Sequence, residues 1–322
     1  MFYNSIVNAD EEVRDSFLEC LEEEIIKIIK EQSFADHMRT LLKQNASPLL
    51  IKNTPKVIKD EYLFAYSVIY QAIRVTALIH DIGHPPFSHV SEYALKDLRE
   101  YVNKLTEKNN RQREFLDIIQ QHKSKKDLHE EIGLTITHRL LRSVAEQDGV
   151  DVDGEESAEL KFFYFLVREV VKKILEEPAQ IFKDIHYLVD GPIDCDRLDY
   201  VSRDMENSGF NFGRIEYDRL INSMKLMKEK DKFYFCPDVR VLSTIEDFFQ
   251  RRWTLYKYLI FHHRAIKTDY LLKNVTFELS KLYLEKEDLK KEEEHSNFIP
   301  LNISDSGKAL EKHTKIQIIL IL

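Results

Sequence analysis

Glycine and proline are scarce in this sequence, 8 of each in 322 residues. So few turn and break residues exclude a fold of many short strands joined by tight turns. With abundant Leu, Ile, Glu and Lys they predict a mainly helical protein. Cysteine is rarer still. Cys20, Cys195 and Cys236 stand far apart with no Cys-x-x-Cys pair, which argues against a disulfide framework or a cysteine zinc site and fits a reducing cytosol. No run approaches the ~18 consecutive apolar residues of a membrane span, and Met1-Phe2-Tyr3-Asn4-Ser5 lacks the charged start and apolar stretch of a secretory signal. The expectation is therefore a cytoplasmic protein with no membrane partner. The formal net charge of −9 provides no general basic field, so nucleic acid is not an expected partner. Basic residues can still gather in a pocket for a small phosphorylated ligand.

What is present is enough apolar material, 43% of residues, for a sizeable core. The predicted class is all-α, with at most a short β-hairpin or strand near residues 232–240, where Lys232-Phe233-Tyr234-Phe235-Cys236 precedes Pro237. A first helix runs from an Asn8 or Asp10 cap to about residue 31, and 43–58 reads as a loop. A second helix spans about 60–81. Its second half, Val68 to Ile79, is apolar on nearly every face, so it should be buried and deliver His80 and Asp81 at the bottom of a core. A third helix starts near Ser88. Residues 101–127 read as a charged excursion or solvated face, and His129 opens the next helix. The acidic stretch 148–157 reads as a surface loop, without the ligand order of a calcium loop. Two helices (158–176 and 179–190) and long helices from about 242 to 289 complete the chain. Residues 1–275 are expected to form the core domain and 276–322 a helical extension.

The chemistry concentrates in Ala77-Leu78-Ile79-His80-Asp81-Ile82-Gly83-His84-Pro85-Pro86-Phe87-Ser88-His89. Adjacent His80 and Asp81 offer an imidazole nitrogen and a carboxylate oxygen, a mixed set suited to a divalent first-row metal. Gly83 and Pro85-Pro86 stop the helix, so the chain must turn and can bring His84 and His89 back over the pair. A second segment, Asp194-Cys195-Asp196-Arg197-Leu198-Asp199-Tyr200-Val201-Ser202-Arg203-Asp204, places Asp196, Asp199, Tyr200 and Arg203 on one helical face. That stripe reads either as part of a site or as a surface salt-bridge ladder.

The ten-residue form His80 to His89, followed in order by Asp194 to Asp204, resembles the HD superfamily of metal-dependent phosphohydrolases, in its deoxynucleoside triphosphate triphosphohydrolase branch. The likeness covers about residues 60–275. It implies that His80, Asp81 and Asp196 are metal ligands for a divalent ion (Mn, Mg, Fe, Ni or Zn), and that His84 and His89 approach the triphosphate and the scissile bond. It implies a general acid in His129 with Glu130 orienting it, phosphate contact by Arg197, sugar contacts by Tyr200 and Asp204, and a pocket contact by His262. It also implies a nucleotide substrate and a homo-oligomer.

Two departures accompany the likeness. Ile266 stands where the family often has an aromatic residue. The family's first metal-ligand histidine, upstream of the His-Asp pair, has no counterpart with its usual flanks. Either the chain begins just after it, Met1-Phe2-Tyr3 being the tail of the helix that carries it, or His37 substitutes. The run Ile318 to Leu322 suggests an altered or truncated C-terminus. The activity implied is hydrolysis of deoxynucleoside triphosphates to deoxynucleoside and triphosphate. The rival readings are a catalytically impaired nucleotide-binding module, or an HD phosphohydrolase acting on nucleoside monophosphates or cyclic nucleotides.

Overall fold

A computed structural model of the chain describes residues 1–31, 54–120, 128–147, 155–177, 179–210 and 215–286. His37, most of the 43–58 loop and of the acidic 148–157 stretch, and the C-terminal residues from 287 onward lie outside the described residues. The chain divides into two compact units. One is Met1–His80 with Leu134–Ile260, the other Asp81–Gly133 with Phe261–Leu322.

The first unit is helical apart from one hairpin. It contains α1 (Phe2–Val7), α2 (Glu11–Glu31), α3 (Leu63–Ile79) after a short 3-10 turn, and, beyond the second unit's excursion, α7 (Glu155–Glu176), α8 (Gln180–His186), α9 (Cys195–Asn207), α10 (Tyr217–Asn222) and α11 (Leu242–Leu255). The strands β1 (Met224–Glu229) and β2 (Lys232–Pro237) pair antiparallel, with Glu229 opposite Lys232. Lys230 takes the two-residue turn at φ 57°, a left-handed conformation such hairpins require. The core of this unit is built from the stripes expected of α2 and α3: Phe17, Leu21 and Ile25 meet Val68, Ile69 and Ala72, and α7 adds Leu166, Val170 and Ile174. The hairpin is tied to α8 where the buried Asp184 accepts from the Phe233 amide at 2.8 Å. A smaller cluster joins Leu198, Val201 and Met205 of α9 to Leu220, Phe248 and Leu255. α11 then runs into a π-helical turn over Tyr256–Ile260.

Helix α3, with the turn before it (Asp60–Ile79), is long and apolar enough to cross a membrane by length and composition, and half of its most apolar window is buried inside the protein. Its last turn is buried at Thr76 and Ile79, as the sequence suggested, on one side only. Leu78 is 84% exposed, so the helix surfaces on one side where His80 and Asp81 come next.

The second unit holds α4 (His89–Lys104), α5 (Asn110–Gln120), the first residues of α6 (Leu128–Gln147, which continues into the first unit) and α12 (His263–Glu285). The charged stretch expected to be an excursion supplies a working helix. α5 turns Phe115, Leu116 and Ile119 onto Leu95, Leu98 and Val102 of α4, with Leu284 of α12. Lys273 of α12 pairs with Asp97 at 2.5 Å. Residue 275 falls inside α12, so that helix runs straight past the expected domain edge.

Candidate metal centre and histidine cluster

His80 caps the C-terminal end of α3. Its Nδ1 lies 2.9 Å from the Ala77 carbonyl. A carbonyl can only accept, so Nδ1 carries the proton and Nε2 keeps its lone pair. That Nε2 lies 3.9 Å from Oδ1 of Asp196, far away in sequence but in the same unit. Asp196 is placed by α9, whose N-cap Asp194 accepts from the Arg197 amide. Tetrahedral donors at ~2.1 Å from an ion lie about 3.4 Å apart, so this nitrogen and oxygen are within a small adjustment of sharing a divalent ion. Asp81 is the next residue in the chain and belongs to the second unit. As its side chain is half exposed, its carboxylate is open to solvent.

The second unit gathers the candidate histidines His84, His89 and His129. Gly83 is required there by space: a Cβ would overlap the backbone of His129 and Gly133 in α6. The turn therefore lies directly on α6, and the His84 ring stacks on the His129 ring with centroids 4.1 Å apart. The chain then passes through two left-handed residues, Phe87 (φ 64°) and Ser88 (φ 50°), a strained arrangement of the kind that concentrates at functional sites. They aim His89 edge-on at both His84 and His129, at 4.9 and 5.3 Å. Ser88 Oγ is 3.2 Å from His84 Nδ1, and His84 Nε2 is 3.4 Å from Asp81.

The group that organises this cluster is Glu92, which reading the sequence did not reveal. It sits one turn into α4 and is 1% exposed. Its Oε2 lies 3.2 Å from Nδ1 of both His89 and His129, and its Oε1 accepts from the His129 backbone amide at 3.3 Å. Burial pushes the Glu92 carboxyl up, but the hydrogen bonds to His89 and His129 and the charge of Lys96 outweigh it, and the net direction is down. An ionised carboxylate can only accept, so Nδ1 of both rings must donate. Glu92 is thus a carboxylate that holds the His129 ring, a contact additional to the Glu130 role that the likeness implies. The signal was available: residue 92 lies three positions after His89 on a helix, on the same face.

The remaining candidates are placed singly. The Arg197 guanidinium is turned onto Asp194, Gly191 and Asp190 rather than left open. Tyr200 accepts from Arg252 Nε at 2.9 Å. Arg203 makes an exposed pair with Asp199 at 2.7 Å and lies 3.7 Å from Asp204, so this part of the stripe is the surface ladder that the spacing also allowed. His262 is the N-cap of α12, its side chain accepting from the Arg264 amide at 3.3 Å.

Comparison with known proteins agrees with this architecture. The family model described as "HD domain" matches residues 68–183. The chain is similar to the uncharacterized protein YwfO of Bacillus subtilis, 22% identical over 208 residues, which are 64% of this chain and 37% of that protein. An uncharacterized Mycoplasma pneumoniae protein is 23% identical over 203 residues, 62% of this chain and 39% of that one. A protein of Dictyostelium discoideum named as a deoxynucleoside triphosphate triphosphohydrolase SAMHD1 homolog is 25% identical over 199 residues, 61% of this chain and 31% of that one. The chain thus spans well under half the length of the curated relatives it matches. Residues 68–183, which carry the His-Asp pair, the strained turn and the Glu92-held histidines, match the HD-domain family model.

Proposed function

We propose that the protein is a metal-dependent phosphohydrolase that cleaves deoxynucleoside triphosphates to deoxynucleoside and inorganic triphosphate. The observation that carries the metal part is the facing of His80 Nε2 and Asp196 Oδ1 at 3.9 Å, with the His80 tautomer fixed by Ala77. Asp81, the next residue in the chain, is the further ligand that the sequence likeness implies. An ion bound there supplies Lewis acidity, polarising a phosphoryl oxygen and making a water a better nucleophile.

The chain's own residues do the rest. The water oxygen forms a bond to the phosphorus nearest the sugar while the bond from that phosphorus to the 5′ oxygen breaks. The 5′ oxygen takes a proton from the His129 ring, the triphosphate keeps the attacking oxygen, and the proton lost by the water passes to solvent, from which His129 is reprotonated. Glu92 holds His129 through Nδ1, which fixes the ring so that the other nitrogen faces outward for proton transfer. His84 and His89, packed on the same ring, contact the phosphates. The choice of a deoxynucleotide rests on the sequence likeness and on the name of the Dictyostelium relative.

A second reading, a nucleotide-binding module without turnover, is favoured by Arg197 and Tyr200, whose polar groups already serve Asp194 and Arg252. Chromatography of reaction products separates the two. Triphosphate released from a deoxynucleoside triphosphate, abolished in His80→Ala, supports hydrolysis. Orthophosphate or pyrophosphate as the product, or tight nucleotide binding with no product, refutes it.

A further inference from the structure

We propose that His84, His89 and His129 bind a transition-metal ion of the zinc class as a ligand set separate from His80 and Asp196. A ring nitrogen of each lies within 4.8 Å of one from each of the others. Tetrahedral ligation at ~2.1 Å sets donor separations near ~3.4 Å, so the rings must close by up to about 1.4 Å, shared among the three. Small rotations about the broad χ2 torsion of histidine accomplish that.

Three features prepare the set. The buried Glu92 takes one ring nitrogen of His89 and one of His129 and leaves the opposite nitrogen of each with a lone pair. Carboxylate-held imidazoles are the usual support of metal-bound histidines. The left-handed Phe87 and Ser88 hold the span from His84 to His89 in one shape before any ion arrives. With its side chain 60% exposed, His89 leaves the cluster open to solvent, so an ion with three protein ligands can keep water in its fourth position. Three imidazoles select zinc, copper or nickel over magnesium or calcium, which favour oxygen ligands.

The inference does not depend on which phosphate ester the protein cleaves. If the protein is the hydrolase proposed, an ion here occupies the nitrogens needed for proton transfer and silences turnover, so zinc in excess acts as an inhibitor.

The test is metal counting on the full chain, stripped with a chelator, loaded with zinc or cobalt(II) and desalted. The expected result is that His89→Ala loses one bound equivalent that His80→Ala retains, and that cobalt-loaded His80→Ala keeps a ligand-field absorption that His89→Ala lacks. Glu92→Gln should weaken this site by about 10–100-fold. Circular dichroism checks that each variant folds, and His89→Asn replaces the alanine variant if it does not. The proposal is overturned if His89→Ala and His89→Asn bind as much metal as the parent. Product analysis is a separate readout, so metal retained without nucleotide turnover would sink the hydrolase reading and leave this one standing.

Discussion

Gly83 and Gly209 make a paired experiment, because alanine is resisted at each for a different physical reason. At Gly83 the obstacle is space. A methyl there would sit inside van der Waals contact of the His129 carbonyl and the Gly133 backbone, and backbone, unlike the tip of a side chain, cannot swing aside. The turn must lift off α6, at a cost of about 1–3 kcal/mol for overpacking and occasionally more. At Gly209 there is open space around the added methyl, but φ is +75°, so the cost is conformational, about 1–2 kcal/mol. Each kcal/mol lowers Tm by no more than about 2–4 °C in a chain this long, so melting alone separates the two poorly. The difference lies in what moves. Lifting the turn carries His84 off the His129 ring, whereas a methyl at Gly209 meets none of the described residues. Gly83→Ala should therefore shift the His84 and His129 imidazole resonances in NMR spectra, while Gly209→Ala leaves them in place. Unchanged histidine resonances in a folded Gly83→Ala protein would refute the close approach of turn and helix, and with it the account of how His129 is positioned.

Single groups carry three further expectations. Asp194 is 1% exposed and accepts from the Gly191 and Arg197 amides and the Arg197 guanidinium. Asp194→Ala should therefore cost about 2–4 kcal/mol in denaturant melts, since it removes a helix cap and orphans a charge; a loss under ~0.5 kcal/mol would contradict the capping role. Ile69 is fully buried in the core shared by α2, α3 and α7, and Ile69→Ala should cost about 2–5 kcal/mol in the same assay. Hydrogen bonds from the Arg240 side chain and amide hold the Asp238 carboxyl down at about 2. Its contribution to stability is thus complete above the ordinary carboxylate pKa of ~3.9 and disappears as pH falls toward about 2. Carbon-13 titration should show Asp238 returning toward ~3.9 in Arg240→Ala, and no movement would exclude that pairing.

The helices were legible where apolar residues recur on one face. Phe17, Leu21 and Ile25 of α2 are buried on the spacing that predicts them. Composition misled in two places. Residues 101–127 carry so many charges that the apolar triplet Phe115, Leu116 and Ile119 was outweighed, although those three are what α5 buries. Conversely, α3 is so uniformly apolar that sequence cannot say which side ends at the surface, and Leu78 does. The partner strand β1 was missed because Met224-Lys225-Leu226-Met227-Lys228-Glu229 contains neither a β-branched nor an aromatic residue. Pairing with β2 overrides that propensity.

At the site, adjacency and spacing revealed the cluster of histidines but not which carboxylate serves which ring. Glu130 was paired with His129 by the family likeness, in which the two are neighbours in sequence. Consecutive residues on a helix point about 100° apart, so neighbours in sequence are poor partners in space. Glu92 reaches the same ring from a different helix. It lies three residues after His89 and next to Lys96 one turn on, which reads locally as an ordinary surface pair. Only the turn forced by Gly83 and the two prolines brings α4 against the start of α6 and buries that carboxylate between two histidines. A buried acid facing two imidazoles is held ionised by them, and in return fixes both tautomers. The unit of function in this stretch is therefore the carboxylate with its two rings, so a substitution at Glu92 should disturb His89 and His129 together rather than one of them.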